Sequence, residues 1–149
     1  MDVASSAFRP GEAIPVMHTC DGADVPPPLS WSGAPESARA FAVVVDDPDA
    51  LGGTWVHWLV WNIPPGAGEV AAAASGGFAG DAAEGKNSWG SQGYRGPCPP
   101  GGKQHRYSFR VYALDGTLDL APGASMDEFE HAAQPHLVAA GEVTGTYRR

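Results

Sequence analysis

Two short segments carry side chains that could do chemistry together. VVDDPDA places Asp46, Asp47 and Asp49 at the end of an apolar run, and HRY places His105, Arg106 and Tyr107 at the start of another. Between them in the chain, WVHWLVW holds His57 in the middle of an apolar segment. Carboxylates beside imidazoles support proton transfer, metal ligation, or anion binding through ring N–H groups. Each residue also has a plain structural reading. A lone histidine in an apolar strand is usually a core residue with one local hydrogen bond. Acids around Asp-Pro often only solvate a turn, and an arginine at a strand start often makes a surface ion pair of little net energy.

The elements around these residues must be strands. With 20 glycines and 14 prolines in 149 residues, turns recur at short intervals, as in an all-β domain. Strands are expected at 14–20, 28–31, 40–47, 54–63, 106–114 and 142–147. AFAVVV and WVHWLVW are apolar on both faces, the pattern of strands buried between two layers. Strict alternation puts Trp55, His57, Leu59 and Trp61 on one face of their strand. It also puts His105 and Tyr107 together, with Arg106 pointing away. If strands 40–47, 54–63 and 106–114 are neighbours, Asp47, His57 and His105 converge.

One helix is expected. Ser125 and Glu128 form a capping-box pattern, and Met126, Phe129 and Ala133 lie on one stripe of MDEFEHAA. Pro135 ends it, and HLVAA is expected to restart as a short helix closed by Gly141. The Ala/Gly-rich stretch 66–85 has no period and reads as a long loop. One domain spanning 1–149 is expected, large enough to bury a core without help from metal or disulfide.

The formal net charge of −8 argues against nucleic acid, whose phosphates need a basic face, and against docking on anionic membrane. No apolar run is long enough to span a bilayer and no leader pattern opens the chain, so the expectation is a cytoplasmic protein without stable membrane insertion. Cys20 and Cys98 are too few for a disulfide framework and lack zinc spacing. Two free buried thiols are expected, with a bond between them left open.

DDPDA, VHWLVWNIP and GYRGPCPPGGKQHRY, in this order, resemble the phosphatidylethanolamine-binding protein family, which includes the Raf kinase inhibitor proteins. TCDGADVPPPLSWSGAP, VYALDGTLDL and EVTGTYRR look like its bacterial and archaeal branch, so the resemblance covers nearly the whole chain. It implies a mainly β fold, a sandwich of two antiparallel sheets, with one or two short helices near the C-terminus and a small anion pocket at one end. It also implies pocket residues at Asp47, His57, Gly96, Pro99, Pro100, His105 and Tyr107. Loop amides would line this pocket and HRY would add donors. Leu51 stands where many members have proline, Arg95 where the bacterial pattern has glycine, and NSWG where NDFG is common. The helical extension that gives animal members a pocket tyrosine is absent, so a more open mouth is expected.

In function, the resemblance and the residues together imply a non-enzymatic protein that binds a small phosphate-bearing or other anionic ligand, such as a phospholipid headgroup, in a regulatory role. No cofactor or metal is expected. A second reading is an inhibitor of a kinase or protease acting through its surface. A third is a metal-assisted hydrolase using Asp47, Asp49, His57 and His105, although these make no compact ligand signature. A nucleophilic enzyme is disfavoured, since no GxSxG elbow is present. A homodimer is left open, with no exposed stripe to argue for it.

Overall fold

The structure, a computed structural model, describes residues 1–66, 69–70 and 81–149. Strands β1 (Asp2–Ala4), β2 (Leu29–Ser32) and β5 (Glu69–Val70) form one sheet in the order β1-β2-β5. Strands β3 (Ala40–Asp47), β4 (Trp55–Ile63), β6 (Ala83–Glu84), β7 (Gln104–Leu114) and β8 (Leu137–Arg148) form the other, in the order β6-β4-β3-β7-β8. All strand pairings are antiparallel. Apart from β5 and β6, most of the expected 66–85 loop lies outside the described residues.

The double-sided apolar pattern of β3 has a direct cause: it is central, and both its faces are covered. Val43 and Val45 point inward with Trp58, Val60, Phe109 and Val111, against Leu29 and Trp31 of the small sheet. Ala42 and Val44 point outward with Leu59 and Trp61, beneath Phe129 and Ala133 of helix α1 (Met126–Ala133). Each such buried aliphatic side chain contributes about 1.5–3 kcal/mol, so β3 is the strand around which both layers are held.

Helix α1 begins as expected. The Ser125 hydroxyl accepts from the Glu128 N–H, and the Glu128 carboxylate accepts from the Ser125 N–H. Ser125→Ala should therefore cost about 1 kcal/mol, read as a lower urea midpoint with an unchanged slope.

Two expected elements differ. Residues 137–141 are not a second short helix: after a 3₁₀ turn at Gln134–His136 they open β8, with Leu137 opposite Leu114. An isolated helix of this length is marginal, whereas pairing satisfies the backbone of β7 along its full length. Residues 14–20 are not a strand either. Val16–His18 is a 3₁₀ turn, and the Thr19 hydroxyl donates back to the Val16 carbonyl at 2.8 Å. The segment meets β8 at its start, where an isolated Ala13–Thr146 bridge is made by the Ile14 N–H donating to the Thr146 carbonyl at 2.8 Å and the Thr146 N–H donating to the Glu12 carbonyl at 2.9 Å.

Cys20 and Cys98 form a disulfide rather than two free buried thiols, and both residues are exposed. The bond ties the 3₁₀ region to the loop that precedes β7. Long-range tertiary contacts bring the two segments together; their spacing along the chain holds no sign of it.

Candidate functional site

The three strands expected to be neighbours are neighbours, and Asp47, His57 and His105 converge at one end of the large sheet. Strict alternation fails in β4, however. Val45 lies opposite Trp58 while Asp46 lies opposite Val56, so His57 is the extra residue of a β-bulge. The bulge turns His57 to the inner face beside Trp58, while Leu59 and Trp61 face the helix. Without that extra residue His57 would point outward, which is the kind of re-aiming that bulges provide.

Around these residues lies a cavity of about 190 Å³ lined by Asp47, Leu51, Trp55, His57, Trp89, Cys98, Pro99, Pro100, His105 and Tyr107, together with Ala50. Trp55 is part of this wall, whereas Trp58 and Trp61 are core. Trp89, from NSWG, and Cys98 are wall residues that the motifs did not single out. Leu51 stands at the mouth, 84% exposed.

Of the three acids in VVDDPDA, only Asp47 reaches the cavity. Its Oδ2 accepts from His105 Nδ1 at 2.7 Å and its Oδ1 accepts from the Asp49 N–H at 2.8 Å, the Asp47 and His105 side chains both being buried. Asp46 points to the outer face and pairs with Arg110; burial pushes its carboxyl above the usual range despite that cation. Asp49 takes a bidentate grip from the Arg106 guanidinium, at 3.0 and 2.8 Å, and a further bond from the Arg106 N–H. Those hydrogen bonds hold its carboxyl down at about 2. A carboxyl depressed in the folded state stabilises above the unfolded value and loses that contribution as pH falls through about 2. The pair is exposed, so its energy is small. What it does is pin the DPDA turn to β7, which fixes Asp47 against His105.

His57 is held from the other side. Its Nδ1–H donates to the Arg95 carbonyl at 2.6 Å, and the Arg95 N–H donates to the His57 carbonyl at 3.1 Å. Nδ1 therefore carries a proton, and Nε2 is the nitrogen left for a ligand. Burial pushes this imidazole below the ordinary histidine value, only partly offset by the Arg95 carbonyl and Asp47. His57 is thus predominantly neutral near pH 7, with Nε2 an acceptor until a second proton arrives.

Tyr107 stacks on His105 with ring centroids 6.4 Å apart and meets His57 edge-on at 5.4 Å. Its hydroxyl is shielded from solvent and makes no well-formed hydrogen bond. Burial first, and then the Asp47 charge, drive the phenol well above its usual value, and the Cys98 backbone opposes them. Tyr107 therefore meets the cavity through its ring. An unsatisfied buried hydroxyl costs about 1–3 kcal/mol, so Tyr107→Phe should leave stability unchanged or raise it by about 1 kcal/mol, with ligand affinity unaltered. A large loss of either quantity would show that the hydroxyl bonds to something.

The loop answers to its prolines and one glycine. Pro99 and Pro100 wall the cavity but have no N–H, so of the loop residues Cys98, Pro99 and Pro100 that line it only Cys98 carries a backbone N–H, and the Cys98 backbone acts on the Tyr107 hydroxyl. Gly96 is outside the cavity lining. Its N–H donates to Asp24 Oδ1 at 2.8 Å, and a Cβ there would lie 2.2 Å from the His18 carbonyl oxygen and 2.9 Å from Thr19 Cα. Gly96→Ala must push two backbones apart and should cost about 3 kcal/mol; a loss under about 1 kcal/mol in chemical denaturation would show that the segments are not seated this closely. The Tyr94 hydroxyl donating to the His18 carbonyl at 2.6 Å adds to the same seam.

As metal ligands, Asp47 and His105 are two, already bonded to each other. Among the described residues no group of three or more His, Cys, Asp or Glu side chains comes together to hold an ion.

The chain is thus a two-sheet β-sandwich with a small Asp/His cavity at the end of its large sheet. The family described as phosphatidylethanolamine-binding protein matches residues 4–148, and the chain belongs to it. The UPF0098 protein of Methanothermobacter thermautotrophicus is 44% identical over 151 residues, spanning 100% of this chain and 99% of that one. The UPF0098 protein PYRAB11530 of Pyrococcus abyssi is 44% identical over 155 residues, covering 97% and 84%. Among solved structures, E. coli YbcL, described as a new member of the mammalian PEBP family, superposes with a TM-score of 0.92 at 34% identity, covering 99% of this chain and 98% of its own. A Chlamydia trachomatis PEBP homolog gives 0.90 at 36%, covering 99% and 97%. Archaeal and bacterial relatives of nearly full length place the chain in that branch. Membership supports a ligand-binding or regulatory protein, and the family is generally non-catalytic.

Proposed function

We propose that this protein binds a small phosphate-bearing or other anionic molecule in the Asp47/His57/His105 cavity, without turnover, and relays the bound state to a protein partner. The observation that carries this reading is the buried His105–Asp47 pair facing a second buried imidazole across a cavity of about 190 Å³. Drug-sized ligands occupy roughly 300–1,000 Å³, so this space suits a headgroup-sized anion. Asp47 fixes which His105 nitrogen faces the ligand. A proton on Nε2 of either ring then makes a cationic donor for an oxyanion. Cys98 is spent in the disulfide, so it offers the cavity no free thiol nucleophile.

The test is an NMR titration of the two imidazoles with phosphoethanolamine and with inorganic sulfate. Saturable shifts confined to His57 and His105 are expected, and no shift at millimolar ligand would sink the proposal. Sulfate keeps its charge through the histidine range, so its pH dependence belongs to the protein. Because burial holds His57 below 6.5, its charge appears only at more acid pH, and sulfate affinity should still be rising as pH falls past 6.5. The same depression makes the neutral ring's stabilising contribution drain away as pH falls from 6.5 through the lower folded value. Affinity that stays flat from mildly acid to alkaline pH would contradict the assignment.

A kinase or protease inhibitor acting only through its surface is the alternative reading, and it predicts that Asp47 and His105 variants keep the biological effect.

A further inference from the structure

We infer that Arg95 selects ligands with a second acid group, so that the preferred ligand is a phosphomonoester carrying a carboxylate a few bonds from the phosphate. This rests on the cavity binding a phosphate-type anion, and it names the chemistry of the rest of the molecule.

Among the described residues Asp47 is the only acid lining the cavity, and each of its oxygens already accepts a hydrogen bond, from His105 and from the Asp49 N–H. Two of its roughly four lone-pair sites are therefore taken. Among the described residues two charges near His57 lack an ion partner: the Asp24 carboxylate, which accepts from the Gly96 N–H and is not part of the cavity lining, and the Arg95 guanidinium beside Trp89. Arg95 is exposed, and among the described residues no carboxylate pairs with its guanidinium.

Its position is set by the site itself. The Arg95 backbone is bonded in both directions to His57, so residue 95 cannot move independently of that ring. The guanidinium lies 4.7 Å from the centroid of Trp89, whose ring is 5.0 Å from His57 and walls the cavity. Adding these two distances, the charge is at most about 10 Å from the His57 ring, close to the Debye length of about 8 Å at physiological salt. A phosphate alone in the cavity feels it weakly. A ligand that extends outward along Trp89 brings its far end toward the guanidinium, where a carboxylate gains a planar, bidentate partner and an ammonium meets a like charge.

O-phosphoserine and O-phosphoethanolamine differ only by a carboxylate, and their affinities, read on the His57 and His105 signals, test the inference. The protein should prefer phosphoserine by about three- to fivefold, the size of a partly exposed ion pair, and the preference should shrink with added salt. Arg95→Ala should erase it while changing phosphoethanolamine affinity less than twofold. The two Arg95–His57 backbone bonds survive that truncation, so the pocket stays built. Arg95→Lys should keep part of it. Equal binding by the wild type, or a preference that persists in Arg95→Ala, overturns the role of Arg95 and leaves the anion site standing. If neither ligand shifts either histidine, the anion site falls and this inference with it. Binding to serine phospholipid in vesicles but not to free phosphoserine would overturn the monoester chemistry in favour of a lipid-borne diester.

Discussion

Asp47→Ala is expected to abolish ligand binding and to cost about 2–3 kcal/mol of stability, the cost of removing a charged partner from a buried hydrogen bond. The carboxylate makes two bonds, to His105 Nδ1 and to the Asp49 N–H. Its loss frees a buried imidazole to rotate, and it releases the turn that Arg106 grips through Asp49. Asp47→Asn separates the two effects. The amide is nearly isosteric and can still accept from the Asp49 N–H, so most of the stability should return. It carries no charge to balance a proton on His105, so affinity for sulfate should still fall at least tenfold, equivalent to about 1.4 kcal/mol. Denaturant melts and sulfate titrations on both variants decide this. An Asp47→Asn protein that binds like the wild type would show that Asp47 serves only the fold.

Reduction of Cys20–Cys98 should produce the largest loss of stability. The bond closes a loop across a sequence separation of 78 residues, and the chain-entropy account assigns such a crosslink about 4 kcal/mol. For a domain of this length that corresponds to a fall in Tm of about 8–16 °C. Thermal melts with and without reductant, with Cys20→Ala/Cys98→Ala as the control, measure it directly. A shift under about 2 °C, well short of that range, would mean that the noncovalent seam holds the two segments unaided; it comprises Tyr94 on His18, Gly96 on Asp24 and the Cys20 N–H on the Pro97 carbonyl. Because Cys98 also walls the cavity, weaker sulfate binding after reduction is expected even below the new midpoint. Such bonds persist in oxidising compartments and are generally reduced in the cytosol. The cytoplasmic expectation and the disulfide thus pull in opposite directions, and thiol trapping in the living cell distinguishes them.

Much of this protein is determined by sequence alone, because the relevant forces act over a few residues. The two-sided apolar runs of β3 and β4, the Ser125/Glu128 cap and the turn chemistry of Asp-Pro are local, and each appears where expected. The motifs around Asp47, His57 and His105 likewise mark the residues that meet in space. Tertiary structure decided the rest. Residues 137–141 are a strand because β7 offers them a partner, a long-range gain that no local propensity records. Cys20 finds Cys98 through contacts between distant segments, and Trp89 becomes a wall only when its loop folds over β4. The orientation of His57 is the sharpest instance. Period-two reading places it with Leu59 and Trp61, but one extra residue opposite the Val45–Asp46 step reverses its face. Register is set by the pairing of two strands, so a single strand's sequence cannot display it, and here that register turns the imidazole into the site.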